Sequence, residues 1–214
     1  MRKNRPVLKI GKPQFAVVGD GECEYWYIQM LKRNERAISI DFKPELLQKK
    51  KLADQYKKVI ELSNHYDKVF WIVDLDTKIK ETREAKKGIK TSIQEFKEYC
   101  DTISGSHENI IVIVNNPCLE YWILLHYETT SKYYASCDGV SKQLKKHLTD
   151  YDKSQAFYTK KDNDIYLRLK PLLHVAISNA EKLGKFDFQN LLTGMSEMQL
   201  LFREAGIIKD IESK

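Results

Sequence analysis

Three short apolar runs along the chain have the length and composition of buried β-strands. They cover residues 14–18, 69–73 and 110–114, and each is followed by polar residues and then by a helical pattern of apolar positions. A fourth segment, residues 38–42, alternates apolar and polar side chains as an edge or half-buried strand does, and Pro44 is expected to close it. Because strands and helices alternate, we predict an α/β fold with a mostly parallel sheet flanked by helices.

The apolar positions between and after these strands predict the helices. The first helix, after residues 14–18, should bury Tyr27, Ile28 and Leu31, which share one face. Further helices are predicted over residues 45–62, 91–102, 118–126, 140–148 and 164–183, and a short last helix begins at Ser196 as its cap. The highly charged residues 78–90 are interpreted as a mobile loop or a frayed helix.

The length and composition of the chain indicate one domain with a sizeable core, since 42% of its 214 residues are hydrophobic. We expect an α/β core over residues 1–130 and a helical extension over residues 131–214 that packs on the same domain. No apolar run approaches the roughly 20 residues of a membrane span, and the first residues lack the apolar centre of a secretory signal. These features predict a cytoplasmic protein with no membrane partner.

The four cysteines lie far apart in the sequence, and no two of them are spaced as a CxxC pair: Cys23, Cys100, Cys118 and Cys137. Neither a zinc site nor a redox motif is therefore indicated. We expect reduced and mostly structural thiols.

The acids that follow residues 69–73 are the firmest candidates for chemistry. Asp74 and Asp76 alternate, so in a continued strand both carboxylates would point to the same side of the backbone, a few ångströms apart. Two such carboxylates repel each other unless a cation lies between them, and Mg²⁺ is the hard cation that carboxylates hold together with waters and substrate phosphates. A turn capped by Asp74 with a solvated Asp76 is the alternative. The buried strand before the pair favours the metal site.

A second group of acids follows the first strand. Asp20, Glu22 and Glu24 begin the predicted helix, and ligands of α/β sheets bind beyond the carboxyl ends of the strands. One of these acids should therefore join the aspartate pair, and Gly21 permits a close approach of a phosphate to the backbone. Alternatively, Glu22 and Glu24 only place favourable negative charge on the first turn of a helix. We favour a functional role for Asp20 and Glu22, whereas for Glu24 the two interpretations are equal.

Polar residues also follow the third apolar run. Glu120 lies on the first turn of the helix that Pro117 introduces, near the strand ends, and is predicted to be an extra metal ligand or a base that orients water. Asn116 and His126 are weaker candidates. His126 lies six positions beyond Glu120, which does not put both on one helix face, and such a residue is more often a core histidine.

The net charge of +6 is modest, but the basic residues are concentrated in the connecting segments. Those expected to hold the phosphates of a nucleic acid are Lys78, Lys80, Arg83, Lys160 and Lys161. Solvated helix faces would explain the same charge runs equally well.

Three segments that contain these candidates resemble the hallmark segments of RloB-like proteins, namely VVGDGECEYWYIQML, VFWIVDLDT and IVNNPCLEYWILLHYE. The resemblance spans residues 15–128, is weaker in the helical tail, and is most specific in NPCxExWxLLH. RloB-like proteins are associated with bacterial restriction and abortive-infection loci. They resemble the Toprim fold of topoisomerases, primases and the overcoming-lysogenization-defect nucleases, so the resemblance implies a Toprim-like sheet.

Toprim proteins carry a glutamate after the first strand and a DxD after a later one, which together bind Mg²⁺ for phosphodiester chemistry. Asp74 and Asp76 match the DxD. The first motif departs from the usual EGxTE form, because Asp20 replaces a glutamate and Cys23 replaces a threonine. Either a metal would sit closer to the backbone at the shorter Asp20, or Glu22 would take over. This departure bears on catalysis rather than on the fold.

The resemblance and the acids together predict a nuclease of the Toprim type, a phosphodiester hydrolase dependent on Mg²⁺ or Mn²⁺, in anti-phage defence or abortive infection. Its predicted metal ligands are Asp20, Glu22, Asp74 and Asp76, with Glu120 as a further catalytic residue. The alternative is a non-catalytic sensor or adaptor that binds a nucleotide or nucleic acid and acts with a neighbouring defence-system protein. A structural protein with a vestigial site is the third possibility. DNA and RNA, and all oligomeric states, remain open.

Overall fold

A five-stranded sheet organises the part of the chain that the computed structural model describes, residues 13–35, 41–45 (backbone only) and 51–205. The strands are β1 (Gln14–Val18), β2 (Asp41–Glu45), β3 (Lys68–Asp74), β4 (Ile110–Asn116) and β5 (Met195–Ser196). They lie in the order β2-β1-β3-β4-β5, and β1 to β4 are parallel, whereas β5 pairs antiparallel with β4. The predicted mostly parallel sheet is therefore confirmed.

Helices cover both faces of the sheet. On one face lie α1 (Glu22–Asn34), α5 (Leu119–Leu124), α6 (Cys137–Leu144), α7 (Gln155–Tyr158), α8 (Ile165–Leu169), α9 (Leu173–Leu183) and α10 (Gln199–Glu204). On the other lie α2 (Leu52–Ser63), α3 (Asp76–Glu84) and α4 (Ser92–Ser106). Among the described residues, no helix is both long and apolar enough to cross a membrane.

The central strand β3 shows why the sheet needs both helical layers. Phe70 and Ile72 pack into the core on the α1 side, while Val69, Trp71 and Val73 pack into the core on the α2 side. A strand buried on both faces has a continuous apolar sequence rather than an alternating one. The register pairs the last residue of β3, Asp74, with Asn115 of β4.

Two prolines account for differences between the predicted and observed elements. Pro44 lies inside β2 rather than closing it, which an edge strand tolerates because one of its sides has no ladder to complete. Pro171 interrupts the single helix predicted over residues 164–183, because proline lacks the N–H that a helix interior requires. The chain there forms α8, a short 3-10 turn (Lys170–Leu172) and α9.

The charged segment after Asp74 is more ordered than predicted. Helix α3 runs to Glu84, so the loop comprises only residues 85–91. Thr91 then caps α4 with a reciprocal capping box that includes Gln94. The predicted strand residues 38–40 and helix residues 46–50 lie outside the described residues.

The segment from residue 131 onward, called the tail below, packs into the same core as the sheet. Trp122 of α5 stacks on Phe202 of α10, with ring centroids 5.5 Å apart. Ser196, expected to cap the last helix, instead lies in β5, and α10 begins at Gln199. The segment from residue 131 onward thus supplies a strand as well as helices.

Candidate active site

Four carboxylates gather at the carboxyl edge of the sheet. Asp20 follows β1, Glu24 lies on the first turns of α1, Asp74 ends β3, and Glu120 opens α5 after β4. The negative charges of Asp20 and Glu120 lie close enough to help raise the pKa values of Glu24 and Asp74. Three connections that lead from parallel strands into helices therefore converge on one acid cluster, which we define as Asp20, Glu24, Asp74 and Glu120.

Asp74 is held at the centre of the acid cluster. One carboxylate oxygen accepts a hydrogen bond from Asn115 Nδ2 at 3.1 Å, and the other accepts one from the backbone N–H of Leu119 at 3.3 Å. Burial, followed by the charges of Glu24, Asp20 and Glu120, raises the pKa of Asp74 well above its usual range. The site therefore holds more negative charge than its surroundings stabilise.

Glu24 is the most buried acid of the first motif, with 4% of its surface exposed. Burial, together with the charges of Asp20 and Glu120, raises its pKa to about 7. Gly19 permits the approach of this side chain, since a Cβ at Gly19 would lie 2.6 Å from the Glu24 Cβ. The residue that the sequence left undecided is thus placed within the acid cluster.

Asp20 already has a cationic partner. Lys78 Nζ lies 2.8 Å from Asp20 Oδ2, and Lys78 is only 5% exposed. Gln55 Nε2 donates to the other oxygen of Asp20 at 2.5 Å, and Gln55 Oε1 accepts a hydrogen bond from Trp71 Nε1 at 2.8 Å. Lys78, predicted at a phosphate-binding rim, lies instead inside the site as the counter-ion of Asp20.

Glu120 is 1% exposed and is bound by residues of the tail. Tyr151 donates its hydroxyl hydrogen to Glu120 Oε1 at 2.7 Å, and the Tyr158 hydroxyl lies 3.1 Å from that of Tyr151. Lys153 Nζ lies 2.8 Å from the same Glu120 oxygen. Burial alone would lower the pKa of Lys153, but the charge and hydrogen bond of Glu120, together with the charges of Cys23 and Asp74, outweigh burial, and the pKa is raised. Lys153 therefore stays protonated as a second counter-ion.

Asp76 does not continue strand β3, contrary to the predicted alternation of Asp74 and Asp76. Strand β3 ends at Asp74, Leu75 has helical backbone angles, and Asp76 begins α3, so the two aspartates do not alternate along one strand. Asp76 lines a groove of about 490 Å³ together with Lys80 and Arg83, two of the predicted phosphate-binding residues. Both of these basic residues are exposed, and Arg83 donates to the Tyr133 hydroxyl at 3.2 Å.

Glu22, although predicted as a ligand, is exposed on the first turn of α1. Lys160 and Lys161 are exposed on the turn between α7 and α8, where Lys160 contributes to lowering the pKa of Asp150, although the Arg168 hydrogen bond contributes most. The structure therefore does not bring these three predicted residues into the acid cluster.

Asn116 and His126 have structural surroundings. Asn116 is fully buried, and its amide donates to the backbone carbonyls of Leu191 and Thr193 at 2.9 and 2.8 Å. His126 Nδ1 lies 3.0 Å from the Trp122 carbonyl oxygen. Burial lowers the pKa of His126 to about 4, so its imidazole is neutral at pH 7. Asn116 therefore ties the end of β4 to residues 191–193, and His126 packs within its own segment.

Two of the four cysteines, expected as separate reduced thiols, are joined: Cys118 and Cys137 form a disulfide across 19 positions of sequence. Spacing along the chain gave no sign of it, because the turn after β4 and the start of α6 meet only in the folded protein. Burial, followed by the charges of Glu120 and Glu24, raises the pKa of the Cys23 thiol to about 12. Cys23 is therefore a poor nucleophile.

Sequence reasoning missed the partners of the acids more than the acids themselves. The missed partners are Gln55, Asn115, Tyr151 and Lys153. They lie 31 to 41 positions along the chain from the acids they bind, and no local pattern marks them. Glu24 did carry a signal, because Glu24, Tyr27, Ile28 and Leu31 follow the helical period of one buried face.

The family model described as RloB-like protein matches residues 15–204, which is most of the chain. Comparison of the chain with curated proteins and with solved structures gave no match.

Proposed function

The chain belongs to the RloB-like family, and on that premise we propose that it is a metal-dependent phosphodiester hydrolase, a nuclease that acts in anti-phage defence. The observation that carries the proposal is the acid cluster, in which two buried and two half-buried carboxylates near three strand ends repel one another. Such an arrangement has a high free energy unless a cation binds.

The residues present fit Mg²⁺ or Mn²⁺. Both ions prefer oxygen ligands, and the acid cluster offers only carboxylates. Asp74 and Glu24, whose pKa values are raised, would hold the ion together with Glu120, and Asp20 would join them once released from Lys78. Bound there, the ion would supply Lewis-acid polarisation of a phosphate oxygen and a water of lowered pKa.

The two lysines at the acid cluster, Lys78 and Lys153, have different proposed roles. Lys78 is buried and pairs with Asp20, so it serves as the counter-ion of Asp20 in the absence of a metal ion. The Lys153 side chain is 40% exposed and belongs to the segment between α6 and α7. With a cation bound at Glu120, Lys153 would be free to turn toward solvent and to contact a phosphate of the substrate.

A nucleic acid would approach across two grooves that share Thr77. One, of about 520 Å³, is lined by Asp20 and Lys78, and the other contains Lys80 and Arg83 beside Asp76. Exposed basic residues at a groove bind phosphates without regard to sequence and make binding weaker at high salt. This supports a nucleic-acid substrate, with no preference assigned between DNA and RNA.

The test is cleavage of single- and double-stranded DNA and RNA by the full chain with Mg²⁺ or Mn²⁺. Asp74→Asn and Glu120→Gln keep the side-chain volume and remove a charge, so each should lower the cleavage rate at least about a hundredfold. Asp101→Asn is the matched control, because Asp101 is an exposed aspartate on α4.

Cleavage that is unchanged in Asp74→Asn, or that persists with excess EDTA, would refute the proposal. Metal binding is measured in parallel, as the rise in Tm with Mg²⁺ or Mn²⁺, because a ligand that binds only the folded state stabilises it.

A second candidate function is a non-catalytic sensor or adaptor that binds a nucleotide or nucleic acid and acts with a partner protein. The ion pair of Asp20 with the buried Lys78 favours it, because the acid of the first motif is already neutralised. This function predicts that Mn²⁺ raises the Tm while neither DNA nor RNA is cleaved. Lys78→Met would then leave cleavage absent, whereas in a nuclease it would alter the metal dependence of the rate.

A further inference from the structure

We infer that Cys118, Cys137 and Asp74 form a binding site for a soft divalent cation of the zinc class when the two thiols are reduced, because one sulfur or oxygen atom of each lies within 4.8 Å of the others. This thiol site, defined by these three residues, lies beside the acid cluster but uses different chemistry. The inference does not depend on the proposed nuclease activity.

The thiol site joins three distant segments. Asp74 ends β3, Cys118 precedes α5 as its N-cap, and Cys137 is the first residue of α6. The Cα atoms of the two cysteines lie 5.9 Å apart. At that separation, side-chain rotation moves the sulfurs between a covalent bond and the roughly 3.8 Å that two sulfurs require on a tetrahedral ion with Zn–S bonds of about 2.3 Å.

The donor set selects against Mg²⁺ and in favour of a softer ion. Two thiolates and one carboxylate are the ligands of tetrahedral zinc, whereas Mg²⁺ takes oxygen ligands in an octahedron. Asp76 Oδ2 lies 3.2 Å from Cys137 Sγ, so a further carboxylate stands next to one of the three ligands. Cys118 is fully buried and Cys137 is half-buried, which protects metal–sulfur bonds from water.

Further contacts hold the ligands in place. The Asn115 amide and the Leu119 backbone N–H donate to the two oxygens of Asp74, and each oxygen retains a free lone pair for a metal. Outer hydrogen bonds of this kind orient ligands in metalloproteins. The backbone N–H groups of Leu75 and Asp76 both donate to the Pro117 carbonyl, which fixes β3 against the turn that carries Cys118.

The disulfide and the metal are alternative states of the same two sulfurs. A phosphine reductant cleaves the S–S bond, yielding two thiols while phosphine and water become phosphine oxide. Each thiol then loses its proton to the buffer as it ligates the ion, so binding is stronger at higher pH. In the oxidised protein both sulfur ligands are absent and the site cannot form.

The experiment titrates the full chain, reduced with a phosphine, with Co²⁺ as a spectroscopic probe for zinc. Tetrahedral Co²⁺ bound by thiolates gives a sulfur-to-metal charge-transfer band and strong visible bands that octahedral Co²⁺ on carboxylates does not give. We expect these bands to saturate at one ion per chain and to disappear when Zn²⁺ displaces Co²⁺. Protein that has not been reduced should give neither band.

The variants Cys118→Ser and Cys137→Ser should each weaken Co²⁺ binding by more than tenfold and reduce the charge-transfer band. The double variant Cys23→Ser/Cys100→Ser, which removes the two other cysteines, should bind as wild type does. Cys137 is half-buried, so Cys137→Ser is expected to fold. It therefore tests the thiol site if Cys118→Ser fails to fold. Absence of the charge-transfer band in reduced wild type, or its persistence in Cys137→Ser, would overturn the inference.

A failure here is distinguishable from failure of the proposed nuclease. Neither cysteine belongs to the acid cluster, and the readout is an absorption spectrum rather than cleavage. If the bands are absent while Asp74→Asn still abolishes Mg²⁺-dependent cleavage, only the thiol site is wrong.

Discussion

At the scale of single residues, the ionised Glu24 carboxylate destabilises the folded protein, because it is almost fully buried among other acids. Replacing it by glutamine keeps the shape and removes the charge. In EDTA at pH 8 we expect Glu24→Gln to raise the free energy of unfolding by up to about 3 kcal/mol, because the pKa of Glu24 is raised from 4.5 to about 7 and each pKa unit corresponds to about 1.4 kcal/mol. Urea denaturation measures it.

The same variant should lose most of the Mg²⁺- or Mn²⁺-induced rise in Tm, because a ligand has been removed. Glu22→Gln is the matched stability control, since Glu22 is exposed on the same turn and should change stability in EDTA by less than about 0.5 kcal/mol. A clear loss of stability in Glu24→Gln would mean that favourable contacts of the carboxylate outweigh the repulsion.

His126 gives a pH dependence of stability that the acid cluster does not share. Its pKa is lowered from 6.5 to about 4 in the folded protein, so the unfolded chain binds a proton first as the pH falls. Above pH 6.5 proton binding by His126 does not lower the free energy of unfolding. Between pH 6.5 and about pH 4 the free energy of unfolding falls, because the unfolded chain takes up the proton and the folded protein does not. Between pH 7.5 and pH 4.5 the loss should be about 2–3 kcal/mol.

Urea denaturation across that pH range, in wild type and His126→Gln, isolates this contribution as the difference between the two slopes. His174→Gln is the control, because His174 is exposed on α9. Equal slopes in wild type and His126→Gln would show that folding does not lower the pKa of His126.

At the scale of elements, the connection between β1 and α1 depends on Gly19. A methyl group there would lie 2.6 Å from the Glu24 Cβ, so α1 must shift away from the sheet. We expect Gly19→Ala to lower the free energy of unfolding by about 1–3 kcal/mol, which is typical of overpacking, and to reduce the metal-induced rise in Tm.

Gly105→Ala is the matched control for this substitution. Gly105 lies in α4 with no atom near its added methyl group, and alanine is a better helix former by about 1 kcal/mol. It should therefore leave stability unchanged or raise it. Similar losses in both variants would contradict the steric role of Gly19.

Elements with strong local patterns were predictable, and those set by distant contacts were not. The apolar runs of β1, β3 and β4 identified the parallel sheet, since strands buried on both faces must be continuously apolar. Strand β5 has only two residues, Met195 and Ser196, and forms because β4 offers an unpaired side. Its existence depends on the partner strand, and the residues themselves show no strand pattern.

The residues of the candidate site were likewise predictable only in part. Asp20, Asp74 and Glu120 could be named from the sequence because each follows an apolar strand. The lysines could not be assigned correctly, because burial decides whether a lysine binds an acid or a phosphate. Lys78 proved to be a buried counter-ion, and Lys153 carried no signal until the fold brought it to Glu120.

At the scale of the whole molecule, the boundary near residue 130 does not separate two independent cores. The core beside α1 and α5 is completed by apolar residues from α6 to α10, including Phe202 against Trp122. We expect a fragment of residues 1–130 to lack cooperative urea unfolding, whereas the full chain unfolds in one transition. Circular dichroism measures both, and a cooperative transition in the fragment would contradict the shared core.

The position of β5 also fixes when the acid cluster can become complete during synthesis. Ser196 Oγ donates at 2.6 Å to the Asn115 oxygen, and the Asn115 amide in turn holds Asp74. Ribosomes extend chains from the N-terminus, so Asp74 is made long before the residue that secures its partner. A nascent chain would therefore carry an unfinished acid cluster until Ser196 has left the ribosome, and under the proposed function no cleavage is expected before that point.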